Sequence, residues 1–456
     1  MRPYAQKQNQ KKSQQERSFL TPKGIQPDML NQNFSPETLS KFLHSKRDKR
    51  KLIKQNQNSE IPKILTDISY SIDSPEFKFE SISALETKSK KIIRLQQFKE
   101  TLILRKLNDN LKRIYGVKQS NRREVTKQVY SLLQETNPLT IIRLDIKGFY
   151  ESIELGKCLE PIFEETLPSP TSKKILKALQ SSPQIPSHVP RGVNVSATLT
   201  EIHMRNFDNK ARSLPGVYYY ARYVDDIIIF SYKNTATQDI KALKQFLPEG
   251  LKINKKKSQT LPIQCRCILS CSCANNCKCR QQCTCEHEAT KNITLDYLGY
   301  IFSFSDIPKG EDKKKPKCIS TTLAKRKVNK IKTRIILALL DFSKTLNFQL
   351  LKDRIHFLTG NCEFKIKGDF SIRSGIYYNY PLIDKDDPAL ADLTLFLRKS
   401  VHCKKGSLGR ALLGKLSNDQ RLNLGRLSFQ SGFKNKITYK ISEERLGAIK
   451  ECWKNA

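Results

Sequence analysis

Three aspartates in two separate segments have the type and spacing of a divalent-cation site. Asp225 and Asp226 are adjacent and lie between the β-prone runs of YYYARYVDDIIIFSY (218–232), while Asp145 ends the strand-like run TIIRLD. The simpler interpretation of the pair is a β-hairpin with an acidic turn. However, like charges this close repel one another unless a cation is bound, and Mg²⁺ prefers carboxylate oxygens. The sequence therefore predicts two Mg²⁺ ions about 4 Å apart, the arrangement that supports phosphoryl transfer to a 3′-hydroxyl.

The segments around these aspartates resemble the polymerase motifs of reverse transcriptases. Tyr223-Val224-Asp225-Asp226 resembles the Y-x-D-D motif of that family. Four further motifs follow the family's order over about residues 140–305: LDIKGFYESI resembles the first catalytic motif, VPRGVNVSATLTEIHM (189–204) the P-Q-G…S motif, GLKINKKKS (250–258) the next palm motif, and LDYLGY the hairpin that grips the primer. The resemblance implies an RNA-directed DNA polymerase, a nucleotidyltransferase with a right-hand fold of fingers, palm and thumb.

The resemblance also implies roles for the aspartates and for one tyrosine. Asp145 and Asp225 match the catalytic, shared ligands of the two Mg²⁺ ions, and Asp226 matches a second, weaker ligand. Tyr150, five residues after Asp145, matches the aromatic sugar gate that crowds a ribose 2′-hydroxyl, although a core aromatic would also fit this position. An aromatic ring here implies that deoxynucleoside triphosphates (dNTPs) are the substrate.

Further nucleotide contacts are implied by the same motifs. Gly192 would let the backbone approach the nucleotide closely, and Arg191, where the family more commonly has Gln, could contact phosphate or base. Lys257 matches the lysine that aids pyrophosphate departure, with Lys255 and Lys256 as alternatives. The family also uses a Lys and an Arg of the fingers to hold the triphosphate. The candidates for that role are Lys88, Arg94, Arg122 and Arg123, of which Arg94 and Arg123 are preferred.

Within the family, DIKGFYESIE, the Arg of VPRG and ATLTEIHMRNFD resemble the bacterial defence-associated enzymes. An obvious H-N-H endonuclease region and a retroviral RNase H pattern are both missing from the sequence. This resemblance implies DNA synthesis in anti-phage defence, with a small noncoding RNA as template and a companion protein or second reverse transcriptase as partner. Two alternatives stay open: template-independent or protein-primed synthesis on the same palm, and a catalytically inert scaffold that binds nucleic acid or zinc.

A second candidate metal centre lies in QCRCILSCSCANNCKCRQQCTCEHE (264–288), where a C-x-C pair recurs every six residues. Thiolates in a reducing compartment predict Zn²⁺, held in two Cys₄ sites or in a bridged cluster. His287 is either a further ligand or a solvated loop residue. The insertion is either a structural staple or a nucleic-acid contact, to which Arg266, Lys278 and Arg280 would contribute. The eight predicted ligands are Cys265, Cys267, Cys271, Cys273, Cys277, Cys279, Cys283 and Cys285. The other five cysteines, expected to be buried free thiols, are Cys158, Cys318, Cys362, Cys403 and Cys452.

A β-rich centre flanked by helices must position these residues, which predicts an α+β fold. Apolar residues at three- and four-residue spacing indicate helices within 90–135 and again from Thr322, with Gly360 as a helix stop. Strands are predicted within 140–150 and 218–231, and a strand pair at 295–304. The predicted organisation is a basic N-terminal arm at 1–60, fingers at 61–139, a palm with antiparallel sheet at 140–310 that contains the Cys-rich zinc insertion at 262–290, and a helical thumb at 311–456.

Charge and composition agree with a polyanionic partner. The 456 residues include 82 Lys and Arg against 44 Asp and Glu, a formal net charge of +38. Such an excess favours nucleic acid, here RNA template and DNA product, over a merely solvated surface. No apolar run approaches the roughly 20 residues of a membrane span, and MRPYAQKQNQKKSQQER lacks the apolar middle of a signal peptide. A cytoplasmic protein with reduced thiols and no membrane partner is expected.

Overall fold

The structure, a computed structural model, describes residues 30–87, 90–135, 139–232, 236–263, 293–304, 319–367 and 370–454. The eight clustered cysteines, His287, Cys318 and Lys88 lie outside these ranges, so the predictions made for them stay predictions. In the described ranges, every helix is too short or too polar to span a bilayer.

The described ranges contain both helices and strands in large number, which confirms the predicted α+β class. The helices are α1 Pro36–Ser40, α2 Lys46–Gln55, α3 Ile61–Asp73, α4 Phe98–Ile114, α5 Arg122–Leu133, α6 Leu155–Glu164, α7 Pro170–Gln180, α8 Ser196–Arg212, α9 Ala236–Phe246, α10 Lys325–Thr345, α11 Phe348–Thr359, α12 Ile376–Asn379, α13 Pro388–Val401, α14 Gly406–Leu412, α15 Asn418–Gly425, α16 Phe429–Lys434 and α17 Glu443–Glu451. The strands are β1 Ile82–Thr87, β2 Lys90–Leu95, β3 Leu139–Asp145, β4 Val217–Tyr223, β5 Asp226–Ser231, β6 Gln259–Ile263, β7 Ile293–Tyr297, β8 Tyr300–Phe304, β9 Ile319–Leu323, β10 Asn361–Lys367, β11 Phe370–Gly375 and β12 Thr438–Lys440.

The central sheet has the strand order β4-β5-β3-β6, and each of its neighbouring pairs is antiparallel. In the register of β3 with β5, Asp145 is the partner of Asp226, so both aspartates lie at the same end of the sheet. Side chains alternate between the two faces of a strand. A slip of one residue in this register would turn one aspartate away from the other.

The two faces of the central sheet border different hydrophobic cores. Ile142 and Ile229 belong to the first core, which also contains buried residues of α3, α4, α6, α7 and α8. Ile141 and Phe230 belong to the second core, which also contains buried residues of the β7-β8-β9 sheet, α10, α11 and α13. Successive side chains of β3 and β5 pack into the two cores in turn. Both strands are therefore buried on both faces, and this packing holds their ends in place.

The second core also holds the β7-β8 hairpin, whose turn is Leu298-Gly299. Both residues have positive φ, +45° and +88°, the conformation of the two-residue turns that fit twisted hairpins. Arg122 clamps this turn from α5: its guanidinium donates to the Leu298 carbonyl and to the Asn379 carbonyl. The strand pair predicted at 295–304 is therefore confirmed as a hairpin. Arg122 links its turn both to α5 and to Asn379, the last residue of α12.

Three details of the sequence prediction were wrong. Within 90–135, the segment Lys90–Leu95 is a strand that pairs with β1, because the adjacent β-branched Ile92 and Ile93 favour a pleated surface over a helix. The predicted helix from Thr322 starts at Lys325, since β9 continues to Leu323. The predicted helical thumb contains the three-stranded sheet β11-β10-β12, in which the strands read with period-two alternation. Gly360 does end a helix, α11.

Candidate active site

A two-residue turn joins β4 to β5 and has Asp225 as its second residue. Val224 before it has φ +59°, a left-handed conformation that a β-branched residue adopts only under strain. Two hydrogen bonds hold the turn: Arg222 Nη1 donates to the Val224 carbonyl at 3.2 Å, and the Ile146 amide donates to the Asp225 carbonyl at 3.1 Å. The turn is therefore fixed to the end of β3, where Asp145 lies.

Asp145 is 4% exposed and is held by the segment that precedes β6. Its Oδ2 accepts from Asn254 Nδ2 at 2.9 Å, and its Oδ1 accepts from Lys257 Nζ at 3.3 Å. The backbone is fixed as well, because the Asn254 amide donates to the Asp145 carbonyl at 2.7 Å and the Asp145 amide donates to Ser258 Oγ at 3.2 Å. The Lys257 side chain is 56% exposed, so its charge lies at the mouth of the site.

Asp226 is paired with a cation on the neighbouring strand. Arg143 Nη2 donates to Asp226 Oδ1 at 3.3 Å, and both side chains are largely buried. Burial raises the pKa of Tyr297 in the β7-β8 hairpin, and the nearby charge of Asp226 raises it further. Asp226 is thus engaged by protein groups on the side that faces the second core.

Burial and mutual repulsion perturb the acids of the turn. Burial raises the pKa of Asp225, and the charge of Asp145 adds to that rise, whereas Lys257 and Arg191 oppose it. Burial also raises the pKa of Asp226, with Asp225 and Asp145 as further causes and Arg143 opposing. The three carboxylates therefore repel one another across the end of the sheet, and a cation bound among them would be stabilised.

The donor chemistry of this end of the sheet fits Mg²⁺, because it offers three carboxylates that are close and partly desolvated. In the described ranges, no group of three or more His, Cys, Asp or Glu side chains is arranged as a metal site. The hydrogen bonds explain why: Asp226 is turned to Arg143, and Asp145 is turned to Asn254 and Lys257. Asp145, Asp225 and Asp226 would hold the metal ions after exchanging these partners for the cations.

Tyr150 begins a 3₁₀ turn just after β3. Burial raises its pKa, and the charge of Asp225 adds to that rise, so the hydroxyl lies within electrostatic range of this carboxylate. The Arg191 guanidinium lies over the Tyr150 ring at 4.7 Å from the ring centre. It also forms a two-pronged ion pair with Glu151, with Nε to Oε1 at 2.5 Å and Nη2 to Oε2 at 3.1 Å. The structure thus brings together Tyr150 and Arg191, which the motifs place 41 residues apart.

Gly192 allows a close backbone contact, but the partner in this structure is strand β2, whereas the expected partner is the nucleotide. Its φ is +92°, and an added Cβ would lie 2.3 Å from the Ile93 carbonyl oxygen and 3.0 Å from Ile92 Cγ2. The Ile93 amide donates to the Arg191 carbonyl at 2.8 Å, which completes the junction. Glycine at this position therefore allows strand β2 to lie against the loop before α8; a close approach to the nucleotide stays a prediction.

The residues predicted to hold the triphosphate lie in two places. Arg94 is exposed on β2, one residue beyond the Ile93 amide that bonds to Arg191. Arg123 is exposed at the start of α5 and influences the pKa of Tyr300 at the β7-β8 turn. Arg122, the third candidate, is committed to that turn and lies against the rings of Tyr300 and Tyr380. The structure thus brings the β2 segment that carries Arg94 to the loop that carries Arg191, whereas Arg122 lies at the β7-β8 turn.

A second set of charges lies behind the turn, between β4 and α8. Arg222 is 3% exposed at its side chain, and it donates to Glu201 Oε2 and to Asp208 Oδ2, each at 2.7 Å. The Tyr220 hydroxyl donates to Asp208 Oδ1 at 2.6 Å. This buried network ends at the catalytic turn through the bond from Arg222 to the Val224 carbonyl.

An open cavity of about 260 Å³ borders this network. It is lined by the connection between α4 and α5 and by α8, with Lys118, Arg205 and Arg212 among the lining residues. The Arg212 guanidinium lies over the Tyr220 ring, and Arg205 donates to the Tyr115 carbonyl. The lining includes four cations, Arg222 and the three named above, against the two acids Glu201 and Asp208, so the net charge of the cavity wall is positive.

Sequence analysis missed several residues that hold the site. Asn254 lies in the quoted segment GLKINKKKS, but only the contact with Asp145 gives it a role. Glu201 and Asp208 are seven residues apart on α8, so their shared helix face was a signal that could have been read. Arg143 and Glu151 lie next to the predicted residues, yet neither spacing nor type distinguishes them from surface charges.

Residues 80–302 match the family described as reverse transcriptase (RNA-dependent DNA polymerase), a segment that includes the three aspartates, Tyr150, Arg191 and Lys257. No curated protein matches the sequence.

Solved structures of telomerases resemble the chain weakly. The apo telomerase of Candida tropicalis, truncated from its C-terminal domain, has a TM-score of 0.32 and 14% identity, over 50% of this chain and 54% of that one. The telomerase of Candida albicans in complex with a TWJ fragment of telomeric RNA has a TM-score of 0.32 and 12% identity, over 82% of this chain and 61% of that one. The chain thus covers little more than half the length of these telomerase chains. At these scores the likeness carries no argument about function.

Proposed function

We propose that the chain is an RNA-directed DNA polymerase that extends a 3′-hydroxyl with dNTPs on an RNA template, since residues 80–302 match the reverse transcriptase family. The observation that carries this proposal is the meeting of Asp145, Asp225 and Asp226 at one end of the central sheet. Burial and like charge raise the pKa of Asp225 and Asp226, as expected of carboxylates that await a dication.

Reverse transcriptases use divalent metal ions, and Asp145, Asp225 and Asp226 would hold two Mg²⁺ ions here. When bound, the ions would activate the attacking hydroxyl and stabilise the charge of the departing pyrophosphate. The chain's own groups complete the site. Lys257 Nζ, held at Asp145 and open to solvent, is suited to neutralise or protonate the pyrophosphate. Tyr150 would face the sugar of a nucleotide bound at the aspartates.

Two observations support nucleic acid as the partner. The net charge of +38 favours contacts to phosphates, whose contribution to binding depends on salt and not on sequence. The positive cavity lined by Lys118, Arg205 and Arg212 borders the network that holds the catalytic turn. We propose that this side of the molecule lies along the template strand, since it is adjacent to the turn.

The finer assignment rests on motif resemblance. We propose that the enzyme acts in phage defence with a small noncoding RNA as template, and with a companion protein or second reverse transcriptase. We also propose that the eight clustered cysteines bind Zn²⁺ and staple the insertion between β6 and β7. Metal analysis of protein purified without chelator should find zinc, and its absence would count strongly against this site.

The deciding experiment uses the purified full chain with its co-purifying RNA, Mg²⁺ and each dNTP, followed by sequencing of the product. A DNA complementary to an RNA in the sample, absent with EDTA or with Asp225→Asn, is expected. Product without a complementary template would favour template-independent synthesis, and incorporation under no condition would favour an inert scaffold. For the defence role, wild type should lower phage plating and Asp225→Asn should not; equal protection by both would contradict a role for synthesis.

A further inference from the structure

Arg191 and Glu151 form an ion pair against the ring of Tyr150, an arrangement that the motif resemblance did not predict. We propose that this pair fixes the Tyr150 ring and thereby determines how strongly the enzyme rejects ribonucleoside triphosphates (rNTPs). Arg191 is then a positioning residue for sugar selection. The inference rests on the proposed polymerase function and adds the groups that set its substrate specificity.

A ring rejects a ribose only while it cannot move away from the 2′-hydroxyl. A ribonucleotide is rejected only if the clash between its 2′-hydroxyl and the ring costs free energy. A ring that is free to change rotamer would avoid the clash and lose this discrimination. Tyr150 packs at the edge of the first core and is only partly buried, at the start of the 3₁₀ turn that follows β3. Its rigidity must therefore come from specific neighbours.

Three neighbours hold the Tyr150 ring. The Arg191 guanidinium covers one face at 4.7 Å from the centroid. Phe149 meets the ring edge to face, with centroids 5.5 Å apart. The Thr200 side chain of α8 lies near the hydroxyl, where it opposes the rise that burial causes in the Tyr150 pKa. Of these three, Phe149 is fully buried and Thr200 lies on a helix, so Arg191 is the neighbour that itself needs a support.

Glu151 supplies that support. It accepts two hydrogen bonds from Arg191, at 2.5 and 3.1 Å, in the planar fork that only a guanidinium can make with a carboxylate. The Arg191 side chain is 28% exposed and that of Glu151 is 35% exposed, so water only partly screens the pair. The backbone of Arg191 is fixed as well, because its carbonyl accepts from the Ile93 amide at 2.8 Å.

This geometry gives a reason for Arg where the resemblance led us to expect Gln. A glutamine could offer one neutral hydrogen bond to Glu151, but it has no charge to attract the face of Tyr150. Tyr150, Glu151 and Arg191 therefore act as one unit, which we name the gate clamp. The clamp also connects strand β2 to the turn after β3, so a shift of β2 would reach the sugar gate.

A different role for Arg191 predicts a different result. If Arg191 left Glu151 to bind the triphosphate, Arg191→Gln would raise the KM of dNTPs and rNTPs alike and leave their ratio unchanged. Glu151→Gln would then lower KM, because it frees the guanidinium. If the gate clamp operates, both substitutions selectively improve the use of rNTPs.

The test compares kcat/KM for one dNTP and its matching rNTP on the same primer-template. We expect Arg191→Gln and Glu151→Gln each to reduce the preference for dNTP about tenfold, or ~1.4 kcal/mol. The double variant should lose no more than either single one, because both remove the same support. Arg191→Lys, which keeps the charge but not the fork, should fall between wild type and Arg191→Gln. A preference unchanged in both single variants would overturn the proposal.

Glu249→Gln is the matched control, since it removes an exposed ion pair, with Lys157 at 2.6 Å, that involves none of the three residues of the gate clamp. It should leave the dNTP preference at the wild-type value. Dissociation constants for non-hydrolysable dNTP and rNTP analogues, measured in parallel, report the same discrimination without turnover. Failure of wild type to polymerise would thus count against the proposed function, while equal affinity for the two analogues in wild type and variants would count against the clamp.

Discussion

The hairpin of β4 and β5 borders two groups of carboxylates that differ in how their charge is balanced. Behind the turn, Glu201 and Asp208 enclose Arg222, whose guanidinium donates to both. At the tip, Asp225 and Asp226 have raised pKa values because burial and neighbouring acids disfavour their charge. Acids that are satisfied within the protein stabilise the fold, whereas acids left repelling one another indicate a ligand from outside. The contrast separates a structural network from a catalytic one.

The largest expected effect sharpens this contrast at the tip. Asp225→Asn should reduce the rate of dNTP incorporation by about 10³-fold or more, because it removes a ligand that organises transition-state charge. The same substitution should leave the midpoint of chemical unfolding unchanged or raise it, since it removes a disfavoured buried charge. An unfolding midpoint well below wild type would show that Asp225 stabilises the fold.

The opposite result is expected behind the turn. Arg222→Met should lower the free energy of unfolding by about 3–5 kcal/mol, because it leaves two buried carboxylates without their cation. Urea unfolding followed by circular dichroism measures this change. The control Arg113→Met removes an exposed i,i+4 pair with Asp109 and should cost less than about 1 kcal/mol. If the two variants were equally stable, the buried network would not hold the hairpin.

Magnesium should distinguish the two groups without mutation of the network. Mg²⁺ that binds only the folded state at about 100 times its Kd should add about 2.7 kcal/mol to the free energy of unfolding. The rise in Tm should be seen in wild type and be much smaller in Asp225→Asn. A rise of equal size in both proteins would place the bound ions elsewhere.

The smallest expected effect is a pH dependence of the metal-free protein. Because the pKa values of Asp225 and Asp226 are raised above 3.8 in the folded state, that state binds more protons than the unfolded chain in the window above 3.8. Protonation of these two carboxyls therefore stabilises the folded state at low pH, and this contribution to the free energy of unfolding is lost as pH rises through their raised pKa values. Unfolding measured in EDTA across this window should show a shallower loss in Asp225→Asn. Identical profiles would contradict a raised pKa at the tip.

The sequence was sufficient to predict those features of the site that depend on residues close together in the chain. The β-prone residues of TIIRLD and of the runs around Asp225 predicted the strands, and the adjacency of Asp225 and Asp226 made the acid pair visible. Long-range pairing was not readable: Asn254 and Ser258 reach Asp145 only because β6 pairs with β3. The resemblance supplied this segment and favoured Lys257 over Lys255 and Lys256, but it did not predict that Lys257 bonds to Asp145.

Other misses have a different physical cause. The ion pair between Arg191 and Glu151 was missed because both residues are charged and partly exposed, and a sequence does not show which surface charges meet. The strands β10 and β11 were overlooked because helical periodicity on both sides suggested one continuous helical region. In that segment, alternation was a better guide than the surrounding composition.

The position of β3 inside the central sheet also constrains how the protein is made. Asp145 and Ser258 are 113 residues apart in the chain, and β3 has β5 on one side and β6 on the other. A nascent chain that ends before Gln259 already contains all three aspartates, yet β3 would be an unprotected sheet edge that can pair with other chains. Closing so long a loop is slow compared with forming local helices. During translation, the strand that carries the first catalytic aspartate is therefore an open sheet edge, prone to aggregation, until β6 has left the ribosome.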